Sequence, residues 1–545
     1  MATVDFAIIA VFLAGILWFG SRFYRWVGAP DDFYVADRQL TPFVLAAALT
    51  TANISLFSLF GVSGTAYQSG IAIIWLTWTG SMALVFSGLF VVPVLRCLRV
   101  RTIPEFLEIR YGPGIRGLVA ALNVLRIAVW MGVVLYAGVM AAEQFTGIRS
   151  FAFWVLLFST IVVVYTSAGG MWSIVLTNNL GFLFTMAGVL TVLPLAMHAV
   201  GWWRGLALHL PPEHLAFVTQ TGKYSWKFIV AMLLLGLQWA TLDQGLLQSA
   251  FSAHDSRVVS QGMVLSAIMV SPFAFLWVTP GLAARLLYPG LAKPEQAVPT
   301  LVLHLLPAGI LGLVICGFMA SGLATIGSNL GAVATLMSND LYGRFFNKKA
   351  SPRQLLIAVR LATLLAGLIM IFITYLVPYL GGAVGAYLTI ISITDMPLFV
   401  IAILYGLLWR GATWQGAMAG YLSGAAAGAV LRFDFKLDMA PVTFMTAGVA
   451  ALVCPLVSLF PGKEARAPEV HSLPQFAFRS DPKPLAAPSL ATLGRRIGLW
   501  VLGMGFLVFL VGLLMGSRSA AGASTVAIAG MAIYFVGGAL RAKFA

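Results

Sequence analysis

The chain has 545 residues, 60% of them hydrophobic and only 9% charged, with a mean hydropathy of +0.94. That balance excludes a soluble globular enzyme of this size and indicates a polytopic, all-α membrane protein. The net charge of +15 is scattered over many short loops, which suits membrane topology and contact with anionic lipid and gives no basis for nucleic-acid binding.

Apolar runs long enough to cross a bilayer predict about fifteen spans of about 20 or more residues. In chain order they are 4–22, 41–67, 73–97, 117–143, 151–168, 172–200, 226–251, 259–287, 298–338, 355–379, 384–408, 413–431, 439–460, 496–515 and 525–541. The first opens on Asp5 and is followed by Arg22 and Arg25, so it reads as a retained anchor with the N-terminus outside. Basic loops such as "RCLRVR" (96–101) and "GRFFNKKASPR" (343–353) then face the cytosol, and the odd number of spans leaves the C-terminus there too. A bacterial inner membrane is the expected location. The segment "TIPEFLEIRYG" (102–112) predicts a short cytosolic helix with Pro104 in its first turn. The polar stretch 461–495 reads as a cytosolic linker, and the external loops 201–225 and 285–299 read as cover for an outer vestibule.

Chemistry-bearing motifs are few. Cys97, Cys316 and Cys454 are scattered, the six histidines never reach metal-ligand spacing, and neither a serine-nucleophile motif nor a phosphate-binding loop occurs. The chain therefore reads as a non-enzyme without a bound cofactor. Its informative residues are polar ones inside spans. "TTANISLFSLFGVSGTAYQSG" (51–70) places Thr, Asn, Ser and Gly where hydrocarbon belongs. A membrane helix breaks only where protein or a wet cavity satisfies its backbone, and such breaks hold ions and solutes in one class of carriers. The same residues also suit local back-bonding and close helix packing. A second polar span, 317–345, puts Ser321, Thr325 and Ser328 on one helical face.

In order along the chain stand "DDFYVADRQLTPF" (31–43), "ANIS" (52–55), "YTSAGGMWSIVLTNNLG" (165–181), "LDQGLLQ" (242–248), "MASGLATIGSN" (319–329) and "SNDLYGRF" (338–345). With these motifs the chain resembles the sodium/solute symporter family of proline, pantothenate, sialic acid and sugar cotransporters, over roughly residues 1–460. The resemblance implies a LeuT-like core of two inverted five-helix repeats, 41–200 and 226–408, with an N-terminal helix and link (1–40), the loop 201–225, further helices (409–460), the linker 461–495 and a terminal hairpin (496–545). It implies Na⁺ as the coupling ion, held by carbonyls of Thr51, Ile54 and Phe318 and the hydroxyl of Ser321, with Thr325 serving a further cation position.

Departures from the family pattern fall on those cation sites. Gly322 stands where a second hydroxyl is expected, and Asn178 and Gly181 stand where Asp and Gln are expected. Three couplings stay open: Na⁺ at a weakened site, a proton through Asp395 in "ISITDMPLF", or a solute sensor without productive transport. Solute contacts are expected from Ser55, Ser58, Arg126, Trp130, Tyr136, Gln238, Trp239, Asp243 and Gln244. Arg126 either clamps a solute carboxylate, which would favour an amino acid or short organic acid, or pairs with Asp243 or Asp395. The expected partners are a small-molecule solute and membrane lipid; neither a protein partner nor an oligomeric state is indicated.

Overall fold

Every backbone N–H and C=O inside a bilayer needs a partner within the protein, and an apolar run supplies these partners by itself when it forms a helix. The computed structural model describes residues 1–219, 224–291, 293–380, 391, 393–437, 439–460, 489–515 and 520–544. Within the expected span 384–408, residues 384–390 and 392 lie outside the described residues, as do 461–488 of the expected linker. Among the described residues ten helices are long and apolar enough to cross a membrane, and two sharply bent pairs bring the number to 12. Their outward faces carry large apolar side chains such as Trp18, Leu125, Leu183 and Leu368, as lipid contact requires.

The longest helix, Phe151–Ala199, is two spans. Gly170 sits at φ 52°, ψ −135°, a conformation that an L side chain resists. Gly20 packs against both Tyr165 and Thr177, which a straight helix would hold ~18 Å apart. The chain therefore doubles back at Gly170, dividing the spans expected at 151–168 and 172–200.

One expected span is corrected. Residues 298–338 do not form a single helix: Ala297–Leu305 ends before Pro307, and a new helix, Ile310–Thr335, starts after Gly309 at φ 87°. Proline followed by a left-handed glycine stops one helix and redirects the next. The new helix is almost wholly buried and forms the central post of the bundle.

The two bent pairs lie against that post. Pro42–Asn53 and Ser58–Ser69 meet at 55°, and Trp226–Leu242 and Gln244–Phe251 meet at 46°. At one end of the bundle the helix Ile103–Tyr111 forms with Thr102 as its cap, accepting from the Glu105 N–H at 3.2 Å, and with Pro104 in its first turn. The terminal helices Ser489–Met515 and Ala520–Lys543 pack backbone to backbone through Gly505, Gly512, Gly530 and Gly537. Tyr534 ties this hairpin to the bundle by donating to the Met82 carbonyl at 3.0 Å.

Candidate functional site

At the first break the helix makes its last regular bond from Ile54 N–H to the Thr50 carbonyl, and Ile54 itself turns to ψ 80°. Ser55 restarts the chain: its hydroxyl accepts from the Ser58 N–H at 3.3 Å, and its carbonyl accepts from the Leu59 N–H. The carbonyls left over are met from the central post. Ser321 donates to Ile54, and Thr325 donates to Ala52 at 3.0 Å. Hydroxyls four residues apart on one helix thus satisfy a broken one, the condition for irregular backbone at membrane depth.

The second break centres on Asp243. Its Oδ1 accepts from the Leu246 N–H at 3.0 Å and caps the half-helix Gln244–Phe251. Its Oδ2 accepts from the Arg126 guanidinium at 2.9 Å, and Arg126 also lies 3.6 Å from Asp395. All three side chains are buried. An isolated charge at this depth is expensive, so pairing explains why an arginine is tolerated in the span Pro113–Thr146.

Between the breaks lies a cavity of ≈ 190 Å³. Of the nine residues expected to contact the solute, Ser55, Ser58, Trp130, Trp239 and Asp243 line it, beside Thr325 and Ser328 of the central post. Four do not. Gln244 is spent on structure, accepting from the Ile103 N–H at 3.0 Å and donating to the Arg101 carbonyl at 3.1 Å. Tyr136, nearly two turns from Trp130, packs with its ring tilted against Phe151, centroids 5.9 Å apart. Gln238 is buried beside Asp395, and Arg126 stands in the wall, engaged by its two carboxylates. Asn53, Thr77, Ser81 and Asn329, none of them assigned to the solute site from the sequence, also line the cavity. The spacing of Thr77 and Ser81, polar residues one turn apart in an apolar span, was the available signal.

Of the residues expected to hold a cation, Ile54 and Ser321 touch directly, whereas the Thr51 hydroxyl bonds back to the Ala47 carbonyl. The ring of Phe318 packs against Phe60 and Phe145. Leu56 fills the space beside Gly322: a Cβ there would fall on its Cδ1 and lie 3.0 Å from its Cγ. Asn178 donates to the Ser328 hydroxyl at 3.0 Å.

Below the second break a charged layer joins four segments. Arg116 bonds Glu108 at 2.5 Å and Asp340 at 2.7 Å, Arg344 bonds Glu108 at 2.7 Å, Arg101 bonds Asp31 at 2.7 Å, and Thr102 donates to Asp340 at 2.9 Å. Burial pushes the Glu108 carboxyl upward, but the bonds from Arg344 and Arg116 outweigh it and hold its pKa below the usual value.

The sodium:solute symporter family model matches residues 33–424. The chain belongs to that family. The symporter is 25% identical over 474 residues to a sodium/glucose cotransporter of Vibrio parahaemolyticus, covering 79% of this chain and 86% of the relative. It is 26% identical over 474 residues to a sodium/mannose cotransporter of Bos taurus, covering 79% of each. Among solved structures it resembles a Na⁺-coupled sialic acid symporter in an outward-open state, with a TM-score of 0.78 at 18% identity over 84% of this chain and 98% of that one. That likeness establishes the LeuT-like fold. Family membership makes the chain a multi-pass membrane carrier of the Na⁺-coupled symport class for small solutes.

Proposed function

We propose that this symporter moves a small, neutral, hydroxyl-rich solute, such as a sugar or polyol, together with Na⁺ by alternating access. The observation that carries the reading is the engagement of Arg126 by both Asp243 and Asp395. One positive group faces two negative ones, so the site offers a solute carboxylate no unshared cation, and the argument for an acidic cargo lapses. The cavity wall includes two indoles, Trp130 and Trp239, and polar groups among which are Ser55, Ser58, Thr77, Ser81 and Asp243. Flat apolar faces with hydroxyl and carboxylate acceptors suit the C–H face and the hydroxyl rim of a sugar. The relatives named for glucose and mannose support the same class.

Na⁺ occupies the first break, where carbonyls of Thr51, Ile54 and Phe318 and the hydroxyl of Ser321 supply oxygens and water completes the shell. The repeats 41–200 and 226–408 rock against each other around it. The charged layer of Glu108, Arg116, Asp340 and Arg344 faces the cytosol, with the N-terminus outside and the C-terminus inside a bacterial inner membrane, and it must part for inward release. Binding of a panel of sugars, polyols, amino acids and carboxylates to the purified protein, with Na⁺ or choline present, tests the reading. Sodium-dependent binding of neutral polyols supports it, and binding confined to carboxylates refutes it.

A second coupling rests on Asp395, which is 3% exposed and held by Arg126 only at 3.6 Å. Solute uptake that follows pH, ignores Na⁺ and disappears in Asp395→Asn would establish proton coupling instead.

A further inference from the structure

The first break is short of one expected oxygen ligand, since Gly322 stands where a hydroxyl is expected, and the family's further cation position is depleted as well, with Asn178 where a carboxylate is expected. The central post offers others. Ser321, Thr325 and Asn329 follow at every fourth position and form one stripe along Ile310–Thr335. The first two meet the first break, and Asn329 carries the stripe to the second. Its Nδ2 donates to the Thr325 carbonyl at 2.8 Å, which turns its Oδ1 toward Gly245. A Cβ at position 245 would lie 2.5 Å from Asn329 Oδ1 and 3.2 Å from Asp243 Oδ1, so both oxygens flank one point at the cavity edge.

Two further observations single out this point. Asn329 is 7% exposed, and its Oδ1 accepts no hydrogen bond among the described residues. Buried acceptors are nearly always satisfied, and one that is not marks a place for a water or an ion. The neighbouring cluster of Arg126, Asp243 and Asp395 holds one positive and two negative groups, an excess of negative charge at membrane depth that favours a cation.

We infer that Asp243 Oδ1 and Asn329 Oδ1 are the core of a Na⁺ site at the second break, separate from the one at Ser321. The site opens on the same cavity as Trp130 and Trp239, so a solute hydroxyl can complete the ion's shell. Ion and solute would then strengthen each other's binding by direct contact. This inference rests on the Na⁺-coupled reading above and adds a second ion position to it.

The test titrates NaCl against choline chloride at constant ionic strength on the purified full-length protein, reading tryptophan fluorescence and thermal unfolding. Asn329→Ala is expected to raise the half-saturating Na⁺ concentration about tenfold, the loss of one strong oxygen contact. Gly245→Ala is expected to do the same by displacing the amide, which provides a second route if the first variant does not fold. Ser321→Ala reports the first break independently. If Ser321→Ala weakens Na⁺ binding while Asn329→Ala and Gly245→Ala, both folded, leave it unchanged, the second site is overturned and the coupled reading survives. A wild-type protein indifferent to Na⁺ overturns both.

Discussion

Restoring the missing hydroxyl by Gly322→Ser should fail alone and succeed only when Leu56 is shortened. Leu56 Cδ1 is wedged between two glycines: a Cβ at 322 falls on it, and a Cβ at Gly138 would lie 2.9 Å from it. The cavity that Leu56 lines between these glycines is only ≈ 20 Å³, so the leucine has little room to swing away. The single variant therefore overpacks a buried site, at a cost of about 1–3 kcal/mol, and lowers Tm without tightening Na⁺. Leu56→Ala alone opens a void and costs about 2–5 kcal/mol. In the double variant the new side chain fills part of that void, so the two losses should not add. The serine then reaches the Ile54 carbonyl region, and the half-saturating Na⁺ concentration for uptake should fall about tenfold. Uptake into proteoliposomes at graded Na⁺, with thermal unfolding of each variant, measures both quantities. A single Gly322→Ser that tightens Na⁺ at no loss of Tm would show that Leu56 is not the obstacle. An unchanged Na⁺ dependence in the double variant would show that position 322 does not face the ion.

Removing Arg126 leaves Asp243 and Asp395 buried without their cation, so Arg126→Ala should destabilise the protein by about 3–5 kcal/mol. Adding Asp395→Asn should recover part of the lost Tm, because one of the two stranded charges is gone. In the charged layer, the Glu108 pKa is depressed in the folded state, so its stabilisation is present above the ordinary carboxylate pKa and is lost as pH falls through the depressed value. The Tm difference between wild type and Glu108→Gln should accordingly be largest near neutrality and shrink on acidification. Trp239→Ala should weaken solute binding about tenfold, with most affinity retained in Trp239→Phe, as read by equilibrium binding.

The breaks were legible because hydrocarbon is an unforgiving solvent. "TTANIS" places groups in a span that only a cavity or a facing polar helix can satisfy, and Ser321 and Thr325 announce that helix by their spacing, whereas the break at "LDQG" was implied only by the family resemblance. The doubling back at "AGG" was equally plain, as two full-length apolar runs meet there. What the chain concealed was which polar groups are used up by one another. Pairing of Arg126 with Asp243 or Asp395 was one of two readings open in the sequence, but these residues lie far apart in the chain and nothing local chooses pairing over a carboxylate clamp or shows that both acids share the guanidinium. Gln244 reads like a cavity residue until the backbone of Arg101 and Ile103 is seen to occupy it. Asn329 looked like one more polar residue of a span, because its significance depends on the missing side chain of Gly245 across the gap. The split of 298–338 was legible in Pro307 and Gly309, but its overall hydropathy masks the interruption.

The central claim is that two broken helices hold Na⁺ and a neutral solute in one cavity. Its most direct test is accumulation of a radiolabelled sugar or polyol by proteoliposomes under an inward Na⁺ gradient, with an equal choline gradient as control. The account predicts concentrative uptake that needs Na⁺, falls sharply with Ser321→Ala and is indifferent to an imposed pH gradient. Equal uptake in choline, or accumulation driven by pH alone, would contradict it.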